Sequence, residues 1–267
     1  MKAVFAGDVV GNPGRAAVAE FVPQLRGLGV GFVVVNGENA AGGAGITARI
    51  AGELFGCGVD VVTSGDEIFR NKEYQEGVCD DRRVLRPANI SPLALGAGCG
   101  VYQTPFGPIA VLDLIGRVFM DPAESPFLAA DRLLGDLSKA ARIIFVDIHA
   151  EATSEKIALG WYLADRVTAV VGTHTHIQTA DECVLPGGCA YITDLGMTGP
   201  YDSVIGRVKE YAIHAFISGM PSRLDVSKND IRFCGLVVDI DEKTGKATAV
   251  KRLQLRSGEK VALEHLP

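Results

Sequence analysis

The chain is 267 residues long, 48% of its residues are hydrophobic, and its formal net charge at pH 7 is -6. Such a chain can bury a substantial core, and no linker-like or repeated segment divides it, so we expect one domain over residues 1–267. The acidic balance argues against binding to long nucleic acid, which needs a basic footprint, but not against a small phosphorylated ligand. The apolar run at the N-terminus is too short for a signal peptide, and no later run reaches ~18 apolar residues. We therefore expect a cytoplasmic protein without a membrane partner.

Apolar, β-branched runs predict the strands of the chain, and the stretches between them that follow turn signals predict its helices. The predicted strands are residues 2–6, 31–35, 59–63, 143–148, 190–194 and a short run at 170–172. The predicted helices are residues 15–28, 47–55, 71–77, 128–140 and 154–163. Residues 98–114 alternate like a hairpin, and the chain from Tyr211 onward, including His214, is predicted to be β-rich, with 233–240 paired with 247–255. This order indicates an α/β fold in which a largely parallel sheet packs against a second sheet, with helices outside.

Polar side chains follow five of the predicted strands, at the point where each strand ends. They are Asp8, Glu38 with Asn39, Asp66 with Glu67, His149, and His174 with His176. In folds of this class, ligands bind beyond the carboxyl ends of the strands, so we expect these side chains to meet at one edge. Imidazoles beside carboxylates suit iron, manganese or zinc. The sequence therefore predicts a metal site at this edge.

His174 and His176 are one residue apart after an apolar run. On a regular strand, residues i and i+2 share a face, which predicts that both imidazoles point into one site where the strand ends. A single histidine is more often structural than a ligand. The metal interpretation therefore depends on the carboxylates and the amide that accompany this pair.

Six short motifs resemble those of one known family. They are Gly-Asp-Val-Val-Gly at 7–11, Asn-Gly-Glu-Asn at 36–39, Arg-Pro-Ala-Asn at 86–89, His-Ala-Glu-Ala-Thr-Ser-Glu-Lys at 149–156, Gly-Thr-His-Thr-His at 172–176 and Gly-Met-Thr-Gly-Pro-Tyr at 196–201. In this order they are similar to the motifs of the YmdB-like family of calcineurin-like metallophosphoesterases, and the resemblance covers nearly the whole chain.

The resemblance implies a four-layer α/β/β/α metallophosphoesterase sandwich with a dinuclear centre, usually of iron or manganese. It implies a phosphodiesterase that acts on small phosphodiesters such as 2',3'-cyclic nucleotides, through a hydroxide held between two divalent or mixed-valence metal ions. By the same resemblance, the first ion would be held by Asp8, Glu38, Asn39 and His176, and the second by Glu38, Asp66, His149 and His174. Asn39 would also bind the substrate's phosphoryl group. Homo-oligomers occur in the family.

One motif departs from the family pattern. Where the family has Gly-Asn-His, this chain has Gly65, Asp66 and Glu67. The extra carboxylate makes the site one charge more negative, so we expect Mn(II) or a mixed-valence iron pair. Glu67 stands where the family has a histidine proton donor, and we expect it to act as the general acid, which needs a pKa raised by burial or by nearby negative charge. The alternative is that Glu67 orients the substrate or is simply solvated.

Two other functions remain open from the sequence. The same centre would serve a phosphomonoesterase. If the loss of the usual histidine abolished turnover, the protein would be a regulatory module that binds a phosphorylated ligand without cleaving it. Asn89 and Tyr201 lie in predicted loops, where they would either line the substrate cleft or stabilise turns.

Overall fold

The structure is a computed structural model that describes all 267 residues. Its helices are α1 (Gly11–Gly27), α2 (Ala48–Gly56), α3 (Pro126–Ala140), α4 (Thr153–Leu163) and α5 (Lys209–Ser218). Its strands are β1 (Lys2–Ala6), β2 (Asp8–Val9), β3 (Val30–Asn36), β4 (Val61–Thr63), β5 (Cys99–Thr104), β6 (Gly107–Ile115), β7 (Ile143–His149), β8 (Ala169–Thr173), β9 (Cys183–Leu185), β10 (Cys189–Ile192), β11 (Met197–Pro200), β12 (Ile231–Asp241) and β13 (Lys246–Arg256). No helix is both long enough and apolar enough to span a bilayer.

The strands form two mixed sheets. The seven-stranded sheet has the order β2-β11-β12-β1-β3-β4, with β13 beside β12. In it, β1, β3 and β4 are parallel, whereas β12 is antiparallel to both β1 and β13. The six-stranded sheet has the order β5-β6-β7-β8-β10-β9, and its four central strands are parallel. The carboxyl ends of β1, β3, β4, β7 and β8 therefore mark the edge at which the sequence predicts a site.

Three hydrophobic cores separate four layers. The first core, of 27 buried residues, lies between the seven-stranded sheet and helices α1 and α2. The second, of 20 residues, lies between the six-stranded sheet and α3 and α4. The third, of 19 residues, joins the two sheets, and there Phe5 packs edge-on against Phe145 with ring centroids 4.9 Å apart. This arrangement confirms the predicted α/β/β/α sandwich.

The segment predicted as a helix over 71–77 is not an α-helix, so that prediction was wrong. It forms separate 3-10 turns at Ile68–Arg70, Lys72–Tyr74 and Val78–Asp80. Asn71 between the first two has an extended backbone, and its side-chain oxygen accepts a hydrogen bond from the Glu73 N–H at 3.0 Å. The side chain of Asn71 thus caps the turn that begins at Lys72, but that turn ends at Tyr74, short of Gly77.

The chain after Tyr211 was predicted to be β-rich, and its first part is instead helix α5. His214 therefore lies on a helix and not on a strand. None of the residues of α5 is buried, and a helix satisfies its backbone groups internally without a neighbouring strand. Gly219 ends α5 with a φ of 67°, the left-handed conformation common after helices. The predicted pairing of the last two long strands is confirmed in β12 and β13.

Candidate metal centre

The strand ends bring the predicted site residues to one place. Asp8 opens β2, Glu38 and Asn39 follow β3, and Asp66 follows β4. His149 is the last residue of β7, and His174 comes directly after β8. Asp8, Glu38 and His149 are each at most 2% exposed, so they form the buried part of the site at this edge.

Four residues form the tightest group, which we call the four-ligand cluster: Glu38, Asp66, His149 and His174. One ligand atom from each lies within 4.8 Å of those of the others. His149 Nε2 is 3.0 Å from Glu38 Oε1, 3.2 Å from Asp66 Oδ1 and 2.9 Å from His174 Nδ1. A ring nitrogen carries at most one proton, so it cannot satisfy three such contacts, whereas a cation among these atoms would.

A second group, the Asp8 group, adjoins the cluster and consists of Asp8, Asn39 and His176. His176 Nδ1 donates to the Ile205 carbonyl at 2.9 Å, so in a neutral ring Nε2 presents a lone pair. That lone pair faces Asn39 Oδ1 at 2.9 Å and lies 4.0 Å from Asp8 Oδ1. Acceptors that converge in this way suit a cation held in common.

Unpaired buried oxygens support this interpretation. Asp8 Oδ1 and Asp66 Oδ1 are both buried without a hydrogen-bond partner, although buried polar atoms nearly always have one. Burial raises the pKa of Asp8 to about 6, against the opposing effect of His176 and His149. Burial also disfavours a charged His149, but Glu38 and Asp66 outweigh it and raise the pKa of His149 well above its usual value. The carboxylates thus demand positive charge, and the donor set fits one or more metal ions of the borderline type.

The histidine pair does not lie on a strand, and the prediction that it shares a strand face was wrong. Strand β8 ends at Thr173, and His174 and His176 have φ values of 103° and 65°, a conformation that non-glycine residues rarely adopt. The two imidazoles consequently face different groups, His174 the four-ligand cluster and His176 the Asp8 group. Strain of this kind persists only where the surroundings hold it in place.

A buried ion pair holds the loop between these histidines. Asp194 Oδ2 accepts hydrogen bonds from the Thr175 N–H at 3.1 Å and from the Thr175 hydroxyl at 2.8 Å. The same oxygen accepts from Lys156 Nζ at 2.7 Å, and neither charged side chain is more than 1% exposed. The loop that presents His174 and His176 is thereby tied to helix α4, on which Lys156 lies.

A relay of hydrogen bonds fixes the ring of His149. The Thr173 hydroxyl donates to Asp147 Oδ1 at 2.8 Å, and the Thr173 hydroxyl oxygen lies 3.0 Å from His149 Nδ1. Because the hydroxyl proton points to Asp147, Nδ1 must be the donor in the second contact. When the ring is neutral, as a metal ligand must be, the lone pair of Nε2 then points into the four-ligand cluster, as in metal sites where a supporting residue sets the tautomer. On the exposed side, His174 Nε2 lies 3.2 Å from the Glu151 carboxylate.

Sequence reasoning did not identify these supporting residues: Lys156, Asp194, Thr173 and Asp147. A lysine at the end of the 149–156 motif and an aspartate inside the apolar strand 143–148 were the available signals. Asn89 proves to be structural, since it is fully buried and its side-chain amide donates to the carbonyls of Ile115 and Glu124, each at 2.7 Å.

Glu67 lies beside the cluster. Its backbone N–H donates to Glu38 Oε2 at 3.2 Å, and its side chain lies 3.2 Å from Arg70. Partial burial raises the pKa of Glu67; Arg70 opposes the shift, while Glu38 and Asp66 reinforce it. The direction of the shift is the one that a proton donor requires.

Comparisons with known proteins match almost the entire chain. The model of the family described as YmdB-like protein matches residues 4–253. A 2',3'-cyclic-nucleotide 2'-phosphodiesterase of Bacillus subtilis is 45% identical over 254 residues, covering 95% of this chain and 96% of that protein.

Two crystal structures have the same fold. One, of a hypothetical protein from Thermus thermophilus, has a TM-score of 0.90 and 37% identity over 96% of this chain and 99% of its own. The other, described as a novel phosphatase from Mycoplasma pneumoniae, has a TM-score of 0.90 and 32% identity over 96% of this chain and 93% of its own. These similarities span both sheets and the edge that carries the site.

Proposed function

The chain belongs to the YmdB-like family of metallophosphoesterases, and from this membership we propose that it is a metal-dependent phosphodiesterase that hydrolyses 2',3'-cyclic nucleotides. It is a hydrolase of the metallophosphoesterase type. The observation that carries the proposal is the convergence of four ligand atoms within 4.8 Å, on the residues Glu38, Asp66, His149 and His174. The 45% identity to a cyclic-nucleotide phosphodiesterase supports the choice of substrate.

The two groups of the site would hold two metal ions, iron or manganese. The Asp8 group would bind one ion and the four-ligand cluster the other, with Glu38 shared between them. When bound, the ions would polarise the phosphoryl group and supply a nucleophile at neutral pH. The two unpaired carboxylate oxygens of Asp8 and Asp66 support this assignment.

Asn39 would serve the substrate as well as the metal. Its Oδ1 faces His176, and one N–H of its amide lies toward the Gly43 carbonyl at 3.3 Å. An amide carries two N–H groups, so the second can donate to a phosphoryl oxygen. Such a donor binds most strongly where negative charge develops during the reaction.

Glu67 would donate the proton that the leaving ribose oxygen needs when the cyclic phosphate opens. The reaction adds water across one P–O bond and yields a nucleoside monophosphate. An acid positioned beside the leaving oxygen typically contributes about 10²–10⁴-fold to the rate. The raised pKa of Glu67 and its place beside the cluster support this role.

The first experiment measures metal binding and hydrolysis of 2',3'-cyclic AMP by metal-stripped protein, before and after addition of Mn(II). We expect His174→Ala to lose both metal binding and turnover. His214→Ala, the same change at an exposed position of α5, should lose neither. Metal-independent turnover, or turnover that survives His174→Ala, would refute the proposal. Tight binding of the nucleotide without turnover would favour a regulatory protein instead.

A second experiment tests the acid. Glu67→Gln should slow hydrolysis of 2',3'-cyclic AMP by about 100-fold. The same variant should hydrolyse bis-p-nitrophenyl phosphate at nearly the wild-type rate, because p-nitrophenolate leaves without protonation. Equal losses on both substrates would assign Glu67 to substrate orientation, and no loss on either would assign it to the solvated surface.

A further inference from the structure

A cavity opens beside the four-ligand cluster and shares Asp66 with it. The cavity has a volume of about 210 Å³. Its lining includes Gly65, Asp66, Phe69, Ile115, Asp121 and Pro122. Larger cavities of about 320, 420, 470 and 720 Å³ lie elsewhere, and none of the four is lined by a member of the cluster.

The wall between the cavity and the cluster is only one residue thick. A Cβ atom placed on Gly65 would lie 2.1 Å from His149 Cδ2 and 2.4 Å from Glu38 Oε2. Gly65 therefore touches the cluster and lines the cavity at once. A phosphoryl group on the metal centre would have its ester substituent within reach of this cavity.

The chemistry of the lining excludes the phosphate itself. The charged residues of the lining are the carboxylates of Asp66 and Asp121, and no lysine, arginine or histidine is among them. The remaining walls are largely apolar, from Phe69, Ile115 and Pro122. Such a lining suits a neutral, flat group that has N–H donors for a carboxylate at the rim.

The size of the cavity limits it to part of a ligand. Pockets that enclose a whole drug-sized molecule start at about 300 Å³, above the volume found here. Phe69 is 37% exposed, and its ring is held edge-on by the buried Tyr74 at a centroid distance of 5.3 Å. A fixed, partly exposed aromatic ring is a surface on which a base can stack.

We infer that this cavity is the nucleobase subsite of the enzyme, in which the base stacks on Phe69 while the cyclic phosphate lies on the metal centre. The inference rests on the proposed function and extends it, because it assigns the discrimination between nucleotides and other cyclic phosphodiesters to residues outside the ligand set. Asp121 at the rim would accept a hydrogen bond from the base.

The test compares 2',3'-cyclic AMP with glycerol 1,2-cyclic phosphate, which keeps the five-membered cyclic phosphate but lacks the base and the ribose ring. Phe69→Ala should lower kcat/KM for 2',3'-cyclic AMP about tenfold, mainly through KM, since stacking on one aromatic ring has about this effect. On glycerol cyclic phosphate the change should be less than about twofold. Phe69→Tyr, which keeps the ring, should behave as wild type.

The matched control is Phe106→Ala. Phe106 is 36% exposed, close to the value for Phe69, but it contacts Gly31 at the start of β3, at the opposite end of that strand from the site. This variant should leave kcat/KM unchanged for both substrates. Equal losses of Phe69→Ala on both substrates, or no loss on either, would overturn the inference.

A binding measurement separates failure of this inference from failure of the proposed function. Adenosine has no phosphate, so its binding to metal-free protein, followed by saturation-transfer NMR, reports on the cavity alone. We expect wild type and Phe106→Ala to bind it and Phe69→Ala to bind it about tenfold more weakly. Absence of binding to wild type, or binding unaffected by Phe69→Ala, would refute the subsite even if 2',3'-cyclic AMP is hydrolysed.

Discussion

Lys156 Nζ lies 2.7 Å from Asp194 Oδ2, and both side chains are sealed from solvent. The pair lies beneath the loop that carries His174 and His176, because Asp194 also accepts both hydrogen bonds from Thr175. A buried ion pair gives little net stability compared with apolar packing, so its position suggests another use. Here the pair connects α4 to a loop whose two histidines have strained backbones.

Lys156→Met should therefore affect both stability and the site. Removal of one partner leaves a buried carboxylate without its counter-charge, and we expect the free energy of unfolding to fall by roughly 3–5 kcal/mol. Metal affinity should fall as well, because the loop is released. Urea unfolding and Mn(II) titration measure the two effects. Lys139→Met, which breaks an exposed pair with Asp136, should change stability by no more than about 0.5 kcal/mol and leave affinity unchanged.

Thr173→Val tests the relay behind His149. The variant keeps the volume of the side chain but removes the hydroxyl that joins Asp147 to His149 Nδ1. We expect Mn(II) affinity to fall about 10–100-fold, the range found when supporting residues of metal sites are removed. Thr168→Val is the control, since Thr168 is also buried and its hydroxyl makes its hydrogen bonds to Ile144 and Gly245, away from the site. Equal affinity in the two variants would contradict the relay.

Gly65→Ala tests how closely the backbone is packed against the ligands. Its Cβ would overlap His149 and Glu38, so we expect a loss of roughly 1–3 kcal/mol in stability together with loss of metal binding. Gly52→Ala in the exposed face of α2 meets no atom within 4 Å and should instead raise stability by about 0.5–1 kcal/mol. Thermal unfolding and metal titration of both variants provide the measurements. A Gly65→Ala protein with normal metal affinity would mean that the ligands relax freely.

Asp66→Asn tests the departure from the family pattern. The amide is the residue type that the resemblance implies at this position, and it removes one negative charge from the site. We expect Mn(II) to bind at least about tenfold more weakly. Loss of a residue that only supports the ligands already lowers metal affinity by about that factor, and Asp66 would be a ligand itself. Asp80→Asn makes the same charge change at an exposed position nearby and should have no effect. Tighter Mn(II) binding in Asp66→Asn would show that the carboxylate is not a ligand.

The sequence predicts the layers and the strand ends well because buried parallel strands leave long β-branched runs, as in β3 and β7. Each run ends at a polar residue, so Glu38 and His149 could be placed at a common edge without knowledge of side-chain positions. The same reasoning fails for the loop after β8, where His174 and His176 adopt positive φ values. That conformation depends on Asp194, a contact with no local signature.

Two other features that the sequence did not predict also depend on contacts between residues distant in the chain. Helix α5 contains aliphatic and aromatic residues that suggested a strand, but it has no sheet edge to join. Lys156 and Asp194 are 38 residues apart, and nothing in the sequence around either one indicates the other. Hydrophobic periodicity indicates which face of a helix or strand is buried. It does not indicate which distant residue that face will contact.

The pairing of β1 with β12 has a consequence for synthesis. Phe5 faces Leu236 across these strands, so β1 emerges from the ribosome long before the neighbour that covers one of its edges. Until then, an apolar strand edge of the nascent chain is open to pairing with other chains, the kind of surface that chaperones protect. Asp8 lies two residues after the end of β1 and pairs with Met197 of β11, so the centre can form only when most of the chain has been translated. Metal loading would then be a late event in the life of each molecule, after translation rather than during it.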